Sequence, residues 1–260
     1  MERVNKTLYI PLYGKAYVSH RGLILRDQKA EESWAAEGFP LKGKAKSKWL
    51  AYYMAMRSAV FDRWTEEQLR ENEDAVVLHL GCGLDSRCVR VDAGENPWYD
   101  VDFPEVIAQR KRFFAETENY HMIPSDIREA GWLRAIPAGK TAIILMEGIS
   151  MYLHQEELRA VLEGLKAHFG SVRILMDSYT PFGARVSKYK NPINEVGITQ
   201  VYGLEDPRDL EQNTGLTFAR EHKMTPDWLI DRLPGKDRWI FRKLYAGKMA
   251  QKLYRLYEFC

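Results

Sequence analysis

One stretch of the chain constrains its fold more than any other: residues 75–87, which read AVVLHLGCGLDSR. Ala75 to Leu80 form a short, nearly continuous apolar run, which is typical of a strand buried on both faces of a parallel sheet. Gly81 and Gly83 follow at once, and because they lack a Cβ they allow a sharp turn and the close approach of a ligand. The stretch therefore predicts an open α/β sheet with a ligand site beyond the carboxyl end of this strand.

The glycine turn leaves two kinds of nucleotide cofactor open. The dinucleotide fingerprint needs a third glycine at position 86, where this chain has Ser86. A methyl donor built on adenosine has no pyrophosphate and does without that third glycine. The turn alone also fits a tight strand-to-helix connection that binds nothing, so residues further along the chain decide between these alternatives.

Acidic residues follow the next two predicted strands. The second strand, WYDVD, ends at Asp102, about 20 residues after the glycine turn, where a carboxylate can accept hydrogen bonds from both ribose hydroxyls. Asp100 competes for this role, and Asp102 could instead cap the helix predicted from Glu105. After the third strand, Asp126 could accept a hydrogen bond from an adenine amino group while Ile127 packs on the ring. The alternative for Asp126 is a turn aspartate.

An arginine lies within an apolar helical stripe ahead of the sheet. The helix is predicted from an N-cap at Ser47 to Trp64, and Arg57 falls inside its apolar stripe, with an aromatic residue one turn to either side. A guanidinium that points to an apolar surface needs an anionic or carbonyl partner. That partner is either a ligand or a carboxylate of the protein itself, and Arg63 at the edge of the stripe could take the same role.

Alternating strand and helix patterns continue along the chain and predict an α/β fold. Five further strands complete a seven-stranded sheet, at 120–123, 141–146, 172–176, 216–221 and 252–259. Residues 1–70 are helical and irregular, which predicts a cap ahead of the sheet. Residues 71–260 are expected to form one integrated domain, with a lid-like insertion at about 178–206, where turn residues replace the periodic pattern.

The charge balance argues against a dedicated nucleic-acid binder, because Lys and Arg total 38 against 36 Asp and Glu. The sequence has no apolar run long enough to predict a membrane helix, and its first residues lack the apolar core of a signal peptide. Three cysteines without CxxC spacing fit a reduced protein without a zinc site. We expect a cytoplasmic monomer or homodimer without metal, nucleic-acid or membrane partners.

Five motifs of the chain occur together in one known family, and they cover most of residues 50–180: MRSAVFD (56–62), LGCGLDSR (80–87), YDVDFPEVI (99–107), SDI (125–127) and EGISMYL (147–153). With these motifs the sequence resembles the class I S-adenosylmethionine-dependent methyltransferases. Within them it is similar to the leucine carboxyl methyltransferase and polyketide-synthesis O-methyltransferase group. The resemblance implies a Rossmann-like, seven-stranded methyltransferase sheet with an N-terminal helical cap, and S-adenosyl-L-methionine as the cofactor.

The resemblance also implies roles for particular residues. Arg57 would bind the methionine carboxylate of the cofactor, and Glu147 would lie beside its amino end. Asp102 would hold the ribose, and Asp126 with Ile127 would hold the adenine. The full expected cofactor-binding set, called the polar set below, is Arg57, Gly81, Gly83, Asp102, Phe103, Asp126, Ile127, Glu147 and Gly148.

Fewer residues are indicated for the acceptor side, because the C-terminal third matches the family weakly. Tyr152 and His154 are the expected catalytic residues, although Tyr152 could instead be a core residue and His154 a helix cap. Tyr179, Arg185 and Tyr189 are the expected substrate-binding residues, since they follow the fifth strand.

The expected function is O-methylation of a carboxylate, or of a phenolic hydroxyl, on a small and polyketide-like molecule or on a peptide C-terminus. A carboxylate is ionised at neutral pH and needs no general base, whereas a phenol with a pKa of about 10 benefits from one. The alternatives are an NAD(P)-dependent oxidoreductase and a cofactor-binding protein without turnover. Ser86 and the lack of a Tyr-x-x-x-Lys motif after the fourth strand disfavour the oxidoreductase.

Overall fold

The computed structural model describes residues 4–188, 200–247, 250 and 252–260, and within them the chain forms a seven-stranded sheet. Its strands are β1 Ala75–Leu80, β2 Trp98–Asp102, β3 Tyr120–Pro124, β4 Thr141–Met146, β5 Val172–Tyr179, β6 Phe218–His222 and β7 Tyr254–Phe259. Their order across the sheet is β3-β2-β1-β4-β5-β7-β6, and β7 runs antiparallel to both of its neighbours. The prediction of an α/β fold with seven strands is confirmed.

The position of β1 in the sheet determines where a ligand can bind. It lies between β2 and β4, so the strand order reverses here. The pairing of Leu80 with Val101 and of His79 with Leu145 keeps the carboxyl ends of the three strands level. The loops that follow these strands therefore meet at one edge of the sheet, which is where open α/β sheets bind ligands.

Helices cover both faces of the sheet, which explains why β1 is apolar without alternation. Val77 packs in one core with helix α3 (Lys48–Glu71), whereas Leu78 packs in a second core with helix α6 (Gln155–Phe169). Successive side chains of a strand point to opposite faces, so both faces of β1 need apolar residues.

Three α-helices of the described residues lie ahead of the sheet in the sequence: α1 Tyr9–Ser19, α2 Gln28–Glu37 and α3. The predicted N-cap of α3 is confirmed, because the hydroxyl of Ser47 accepts a hydrogen bond from the N–H of Trp49 at 3.3 Å. The helix continues to Glu71 rather than ending at Trp64, since its buried face extends through Leu69. The division into a cap of residues 1–70 and a domain of residues 71–260 stays a prediction.

In the described residues the other α-helices connect the strands, and all of them apart from α6 are short. They are α4 Arg87–Arg90, α5 Pro104–Arg110, α7 Pro181–Ser187, α8 Asp227–Ile230 and α9 Gly235–Leu244. β5 runs three residues beyond its predicted end because it pairs with β7 as far as Tyr179. Helix α7 falls inside the predicted lid at 178–206, of which residues 189–199 lie outside the described part of the chain. No helix in the described residues is long and apolar enough to span a bilayer.

Candidate active site

A cavity of about 990 Å³ opens at the carboxyl edge of the sheet. Ligand pockets in proteins are usually between roughly 300 and 1,000 Å³, so this one has room for two small molecules side by side. All nine residues of the polar set line it. A second group of lining residues, called the aromatic lining below, consists of Trp49, Tyr53, Tyr152, Tyr179, Tyr245 and Tyr254.

All three glycines of the polar set have a positive φ, which other residues rarely adopt, and Gly81 and Gly148 also lie close to a neighbouring side chain. Gly81 has a φ of 64°, and a Cβ there would lie 2.1 Å from Cγ2 of Ile149. Gly148 has a φ of 76°, and a Cβ there would lie 3.3 Å from Nη1 of Arg57. Both glycines therefore allow the loops after β1 and β4 to pack closely, and Gly148 also lets the guanidinium approach.

Asp102 at the end of β2 faces the glycine turn. Its Oδ2 accepts a hydrogen bond from the N–H of Gly83 at 2.7 Å, and its Oδ1 accepts one from the N–H of Phe103 at 2.8 Å. Phe103, and not Asp102, is the N-cap residue of α5, so the helix-cap alternative does not describe this side chain. Burial raises the pKa of Asp102 to about 6, although both N–H groups act to lower it. Each oxygen keeps a lone pair that can accept a further hydrogen bond.

Asp126 also lines the cavity, but its carboxylate already has a partner. The side chain of Arg128 donates from Nε to both carboxylate oxygens at 2.9 Å, and its backbone N–H donates to Oδ1 at 3.0 Å. Arg128 also reaches Glu157 at 3.2 Å and itself lines the cavity. The bond to the backbone N–H is the turn that the sequence left as an alternative, and the contact with the guanidinium was missed.

Arg57 is buried and contacts the carboxylates of two other elements. Its Nε donates to Glu147 at 3.0 Å, and its Nη1 donates to Asp177 at 2.9 Å and to the hydroxyl of Tyr254 at 3.1 Å. These contacts match the alternative of an internal carboxylate partner, yet Arg57 also lines the cavity. Burial alone would raise the pKa of Glu147, but the guanidiniums of Arg87 and Arg57 lower it, so Glu147 is ionised.

A buried ionic network beneath the glycine turn was not predicted from the sequence. The Nε of Arg87 donates to Asp62 of α3 at 2.6 Å, and its Nη2 donates to Glu147 at 2.5 Å. Asp85 pairs with Lys15 of α1. The network therefore ties α1 and α3 to the turn and to the loop after β4. Its one signal in the sequence is that charged residues stand inside the otherwise apolar motifs MRSAVFD and LGCGLDSR.

The five residues predicted for the acceptor side fall into three groups: residues that line the cavity, exposed residues away from it, and one outside the described residues. Tyr152 and Tyr179 line the cavity. His154 is the exposed N-cap residue of α6, where its Nε2 lies 2.7 Å from the hydroxyl of Tyr202, and Arg185 is exposed on α7. Neither of these two is among the described lining residues. Tyr189 lies outside the described residues.

The aromatic lining contains residues that the sequence analysis did not single out for a site. Trp49 of α3 stacks on Tyr245, with ring centroids 5.3 Å apart and an interplanar angle of 11°. Tyr179 lies 4.7 Å from Tyr254 between ring centroids. Because these pairs join residues far apart in the sequence, no local pattern of the sequence indicated them.

Comparison with known proteins shows which family has this arrangement. The family model of leucine carboxyl methyltransferases matches residues 7–166, which is more than half of the chain. The chain belongs to the leucine carboxyl methyltransferase family. The matched region includes the whole polar set, and the resemblance found in the sequence motifs is confirmed.

Within and around this family, two named relatives are similar to the chain in sequence. It is 32% identical over 208 residues to the tetracenomycin polyketide synthesis O-methyltransferase TcmP of Streptomyces glaucescens, covering 78% of this chain and 77% of the relative. It is 27% identical over 161 residues to leucine carboxyl methyltransferase 1 of Debaryomyces hansenii, covering 46% of this chain and 44% of the relative.

Solved structures support the same fold for this leucine carboxyl methyltransferase family member. Magnesium protoporphyrin IX methyltransferase of Synechocystis, solved with bound S-adenosylhomocysteine, superposes with a TM-score of 0.52 at 14% identity, covering 89% of this chain and 92% of that chain. A Thermobifida fusca protein described as a methyltransferase superposes with a TM-score of 0.57 at 16% identity, covering 95% of this chain and 92% of that chain.

The cofactor of this leucine carboxyl methyltransferase family member is S-adenosylmethionine. The cavity fits it, because Asp102 offers two acceptor oxygens at the glycine turn and the two glycines keep the approach to the strand ends open. The family assignment sets the oxidoreductase alternative aside. Which residue contacts which part of the cofactor stays a prediction.

We expect S-adenosylhomocysteine to bind about tenfold more weakly at pH 5 than at pH 7. Ribose hydroxyls donate hydrogen bonds, so the ligand favours ionised Asp102, whose pKa of about 6 in the free protein means that the group is mostly protonated at pH 5. Isothermal titration calorimetry at several pH values measures the effect. Asp102→Asn is the control, because it removes the titrating group and should bind weakly at every pH. A dissociation constant that stays unchanged from pH 7 to pH 5 would contradict the prediction that Asp102 binds the ribose.

Proposed function

We propose that the chain is an O-methyltransferase that converts the ionised carboxylate of a small aromatic acid into its methyl ester. Two observations support this: the aromatic lining of the cavity, and the lack of a free histidine or ionised tyrosine among the described residues beside it. The names of two relatives point the same way, since one is a polyketide synthesis O-methyltransferase and the other a leucine carboxyl methyltransferase.

In this proposal the polar set holds the cofactor along the edge of the sheet. Asp102 accepts hydrogen bonds from the ribose hydroxyls through the lone pairs that its backbone contacts leave open. Asp126 accepts a hydrogen bond from the adenine amino group while keeping its contact with Arg128. Arg57 binds the methionine carboxylate, and Glu147 lies at the amino end, where its ionised state favours an ammonium group.

The aromatic lining favours a flat, apolar acceptor. Stacked and tilted pairs such as Trp49 with Tyr245 present ring faces and edges, which bind other aromatic rings well. A peptide C-terminus would instead need partners for its backbone N–H and C=O groups. A small aromatic acid is therefore the better fit to this surface.

The protonation states beside the cavity favour an acceptor that is already ionised, and this observation carries the proposal. Burial raises the pKa of Tyr53, Tyr152 and Tyr254, so these phenols stay protonated near neutral pH. His79 is the single histidine among the described lining residues. The ring is buried: its Nε2 lies 3.3 Å from Nη1 of Arg87, and its Nδ1 lies 3.5 Å from Asp100 without a hydrogen bond, so it is poorly placed to take a proton from an acceptor.

S-adenosylmethionine supplies, when bound, an electrophilic methyl group and a neutral sulfide leaving group. The residues of the chain would hold the acceptor oxygen beside that methyl group and keep water away from it. The aromatic lining excludes water and fixes the plane of the acceptor, with Tyr152 and Tyr179 on its surface. No proton has to be removed from a carboxylate, which matches the raised pKa values of the tyrosines.

The acceptor class is tested with a matched pair of probes, 1-naphthoic acid and 2-naphthol. We expect the acid to give a methyl ester at a rate that stays flat above neutral pH, because it is fully ionised there. For the phenol, any rate should rise with pH toward its pKa of about 10. Product analysis separates the two, since mild alkali cleaves a methyl ester but not an aryl methyl ether.

Three outcomes would contradict this proposal. Formation of the ether alone would identify a phenol as the acceptor. Methylation of peptides ending in leucine, with neither naphthyl probe reacting, would identify a peptide C-terminus. Binding of the cofactor without any methylated product across a wider panel of acids, phenols and peptides would support the alternative of a protein without turnover.

A cytoplasmic location and a monomeric or homodimeric state stay predictions from the sequence.

A further inference from the structure

Asp177, fully buried in β5, contacts three cavity-lining groups from three different elements. Its Oδ1 accepts a hydrogen bond from the N–H of Gly148 at 2.7 Å. Its Oδ2 accepts hydrogen bonds from Nη1 of Arg57 at 2.9 Å and from the hydroxyl of Tyr254 at 2.8 Å. Asp177 is not itself among the described residues that line the cavity. One carboxylate thus fixes α3, the loop after β4 and β7 relative to one another.

These contacts determine the direction in which Arg57 can bind a ligand. Its Nε is committed to Glu147 and its Nη1 to Asp177 and Tyr254, whereas its Nη2 donates no hydrogen bond to the described residues. A guanidinium is planar and rigid, so fixing Nε and Nη1 also fixes the position of Nη2. Gly148 lies against the same guanidinium, because a Cβ there would be 3.3 Å from Nη1 and 3.4 Å from Nη2.

We propose that Asp177 is a positioning residue for the amino-acid end of the cofactor: it orients Arg57 and Gly148 without touching the cofactor itself. The inference rests on the placement of the methionine carboxylate beside Arg57 under the proposed function. Without the carboxylate of Asp177, Nη1 of Arg57 and the N–H of Gly148 lose the acceptor that they share. The guanidinium is then less ordered in the free protein, and ordering it on binding reduces the affinity for the cofactor.

The test compares two ligands in the variant Asp177→Asn. The amide has one oxygen and one NH₂ group, so either Gly148 or the pair Arg57 and Tyr254 faces a donor instead of an acceptor. We expect calorimetry to show S-adenosylhomocysteine binding about 10- to 50-fold more weakly. Methylthioadenosine, which lacks the amino-acid end, should change by less than about twofold, because its contacts do not involve Arg57.

Asp27→Asn is the matched control. Asp27 is also fully buried and also pairs with an arginine, since its Oδ2 accepts from Arg90 at 2.5 Å. Neither of these residues lines the cavity. We expect Asp27→Asn to lower Tm without changing the ratio of the two dissociation constants. If Asp177→Asn also leaves this ratio unchanged, or lowers both affinities equally, Asp177 is a structural residue and the proposal is overturned.

Two further variants keep the proposal testable if Asp177→Asn folds poorly. Tyr254→Phe removes one hydroxyl shared by Asp177 and Arg57, and it should change the ligand ratio in the same direction by about threefold. Adding Asp177→Asn to Arg57→Ala should change the ratio by much less than Asp177→Asn does in the parent, because the contact through Arg57 is already gone and the contact with the N–H of Gly148 remains. A change as large as in the parent would overturn the proposal. An unchanged ratio of the two dissociation constants in Arg57→Ala would overturn the placement of the methionine carboxylate beside Arg57, and this inference with it. The proposal about the acceptor would not be affected, because the naphthyl probes test it separately.

Discussion

Arg57→Ala is expected to weaken binding of S-adenosylhomocysteine by roughly 30- to 1000-fold, or about 2–4 kcal/mol. The variant leaves the methionine carboxylate of the ligand poorly paired in a partly desolvated site. Methylthioadenosine lacks this carboxylate, so it should bind the variant about as well as the parent. Calorimetric titration of both ligands into both proteins measures the selectivity.

The contacts of Arg57 add a second consequence that concerns stability. Removing the guanidinium leaves Glu147 and Asp177 without this cation in a buried site, so the variant should also melt at a lower temperature. Comparing two ligands within one variant separates the loss of binding from this loss of stability. Arg57→Lys keeps one positive charge but loses the planar pair of donors, so it should recover only part of the affinity.

Arg90→Ala is the matched control for Arg57→Ala. Arg90 is also largely shielded from solvent, with 9% of its side chain exposed, and it lies 2.8 Å from Asp62 and 3.1 Å from Asp85, but it does not line the cavity. The loss of Arg90 should lower Tm and leave unchanged the ratio of the dissociation constants of S-adenosylhomocysteine and methylthioadenosine. Equal weakening of both ligands by Arg57→Ala would show that Arg57 is purely structural. Lys15, which is buried and lines the cavity, would then be a better candidate than Arg63, which is exposed.

Local patterns were sufficient to predict the edge of the sheet at which the cavity opens. The apolar run before Gly81 indicated a central strand, and acids such as Asp102 and Glu147 directly follow strands or end them. In an open α/β sheet these ends meet at one edge by topology alone, so spacing along the chain was enough to bring the polar set together. No long-range contact had to be known.

The partners of buried charges could not be predicted in this way. Arg57 meets Tyr254, which is 197 positions away, and nothing in the local pattern of either residue indicates the other. For the same reason the sequence placed His154 and Arg185 near the acceptor by proximity along the chain, whereas the structure puts one at an exposed helix N-terminus and the other on an exposed helix face. Chain order locates strand ends well, but it says little about the direction of helical side chains.

The largest expected effect on stability belongs to Arg87, the last residue of the motif LGCGLDSR. Its side chain is fully buried and donates to Asp62, Glu147 and the hydroxyl of Ser58. Arg87→Ala removes this partner from the buried carboxylate of Glu147 and from the partly buried carboxylate of Asp62, and breaking such a buried pair typically costs about 3–5 kcal/mol. For a chain of this size we expect Tm to fall by about 6–20 °C, measured by thermal unfolding with the parent protein alongside.

Arg63→Ala is the control for Arg87→Ala, because Arg63 also pairs with a carboxylate at 2.9 Å but its side chain is 59% exposed. An exposed pair contributes less than about 1 kcal/mol, so its loss should shift Tm only slightly. Similar melting temperatures for the two variants would contradict the view that the ionic network fixes the glycine turn. A large difference would instead mean that the arginine of this motif serves the fold. Its link to Glu147 would then be the means by which the network supports the cofactor site.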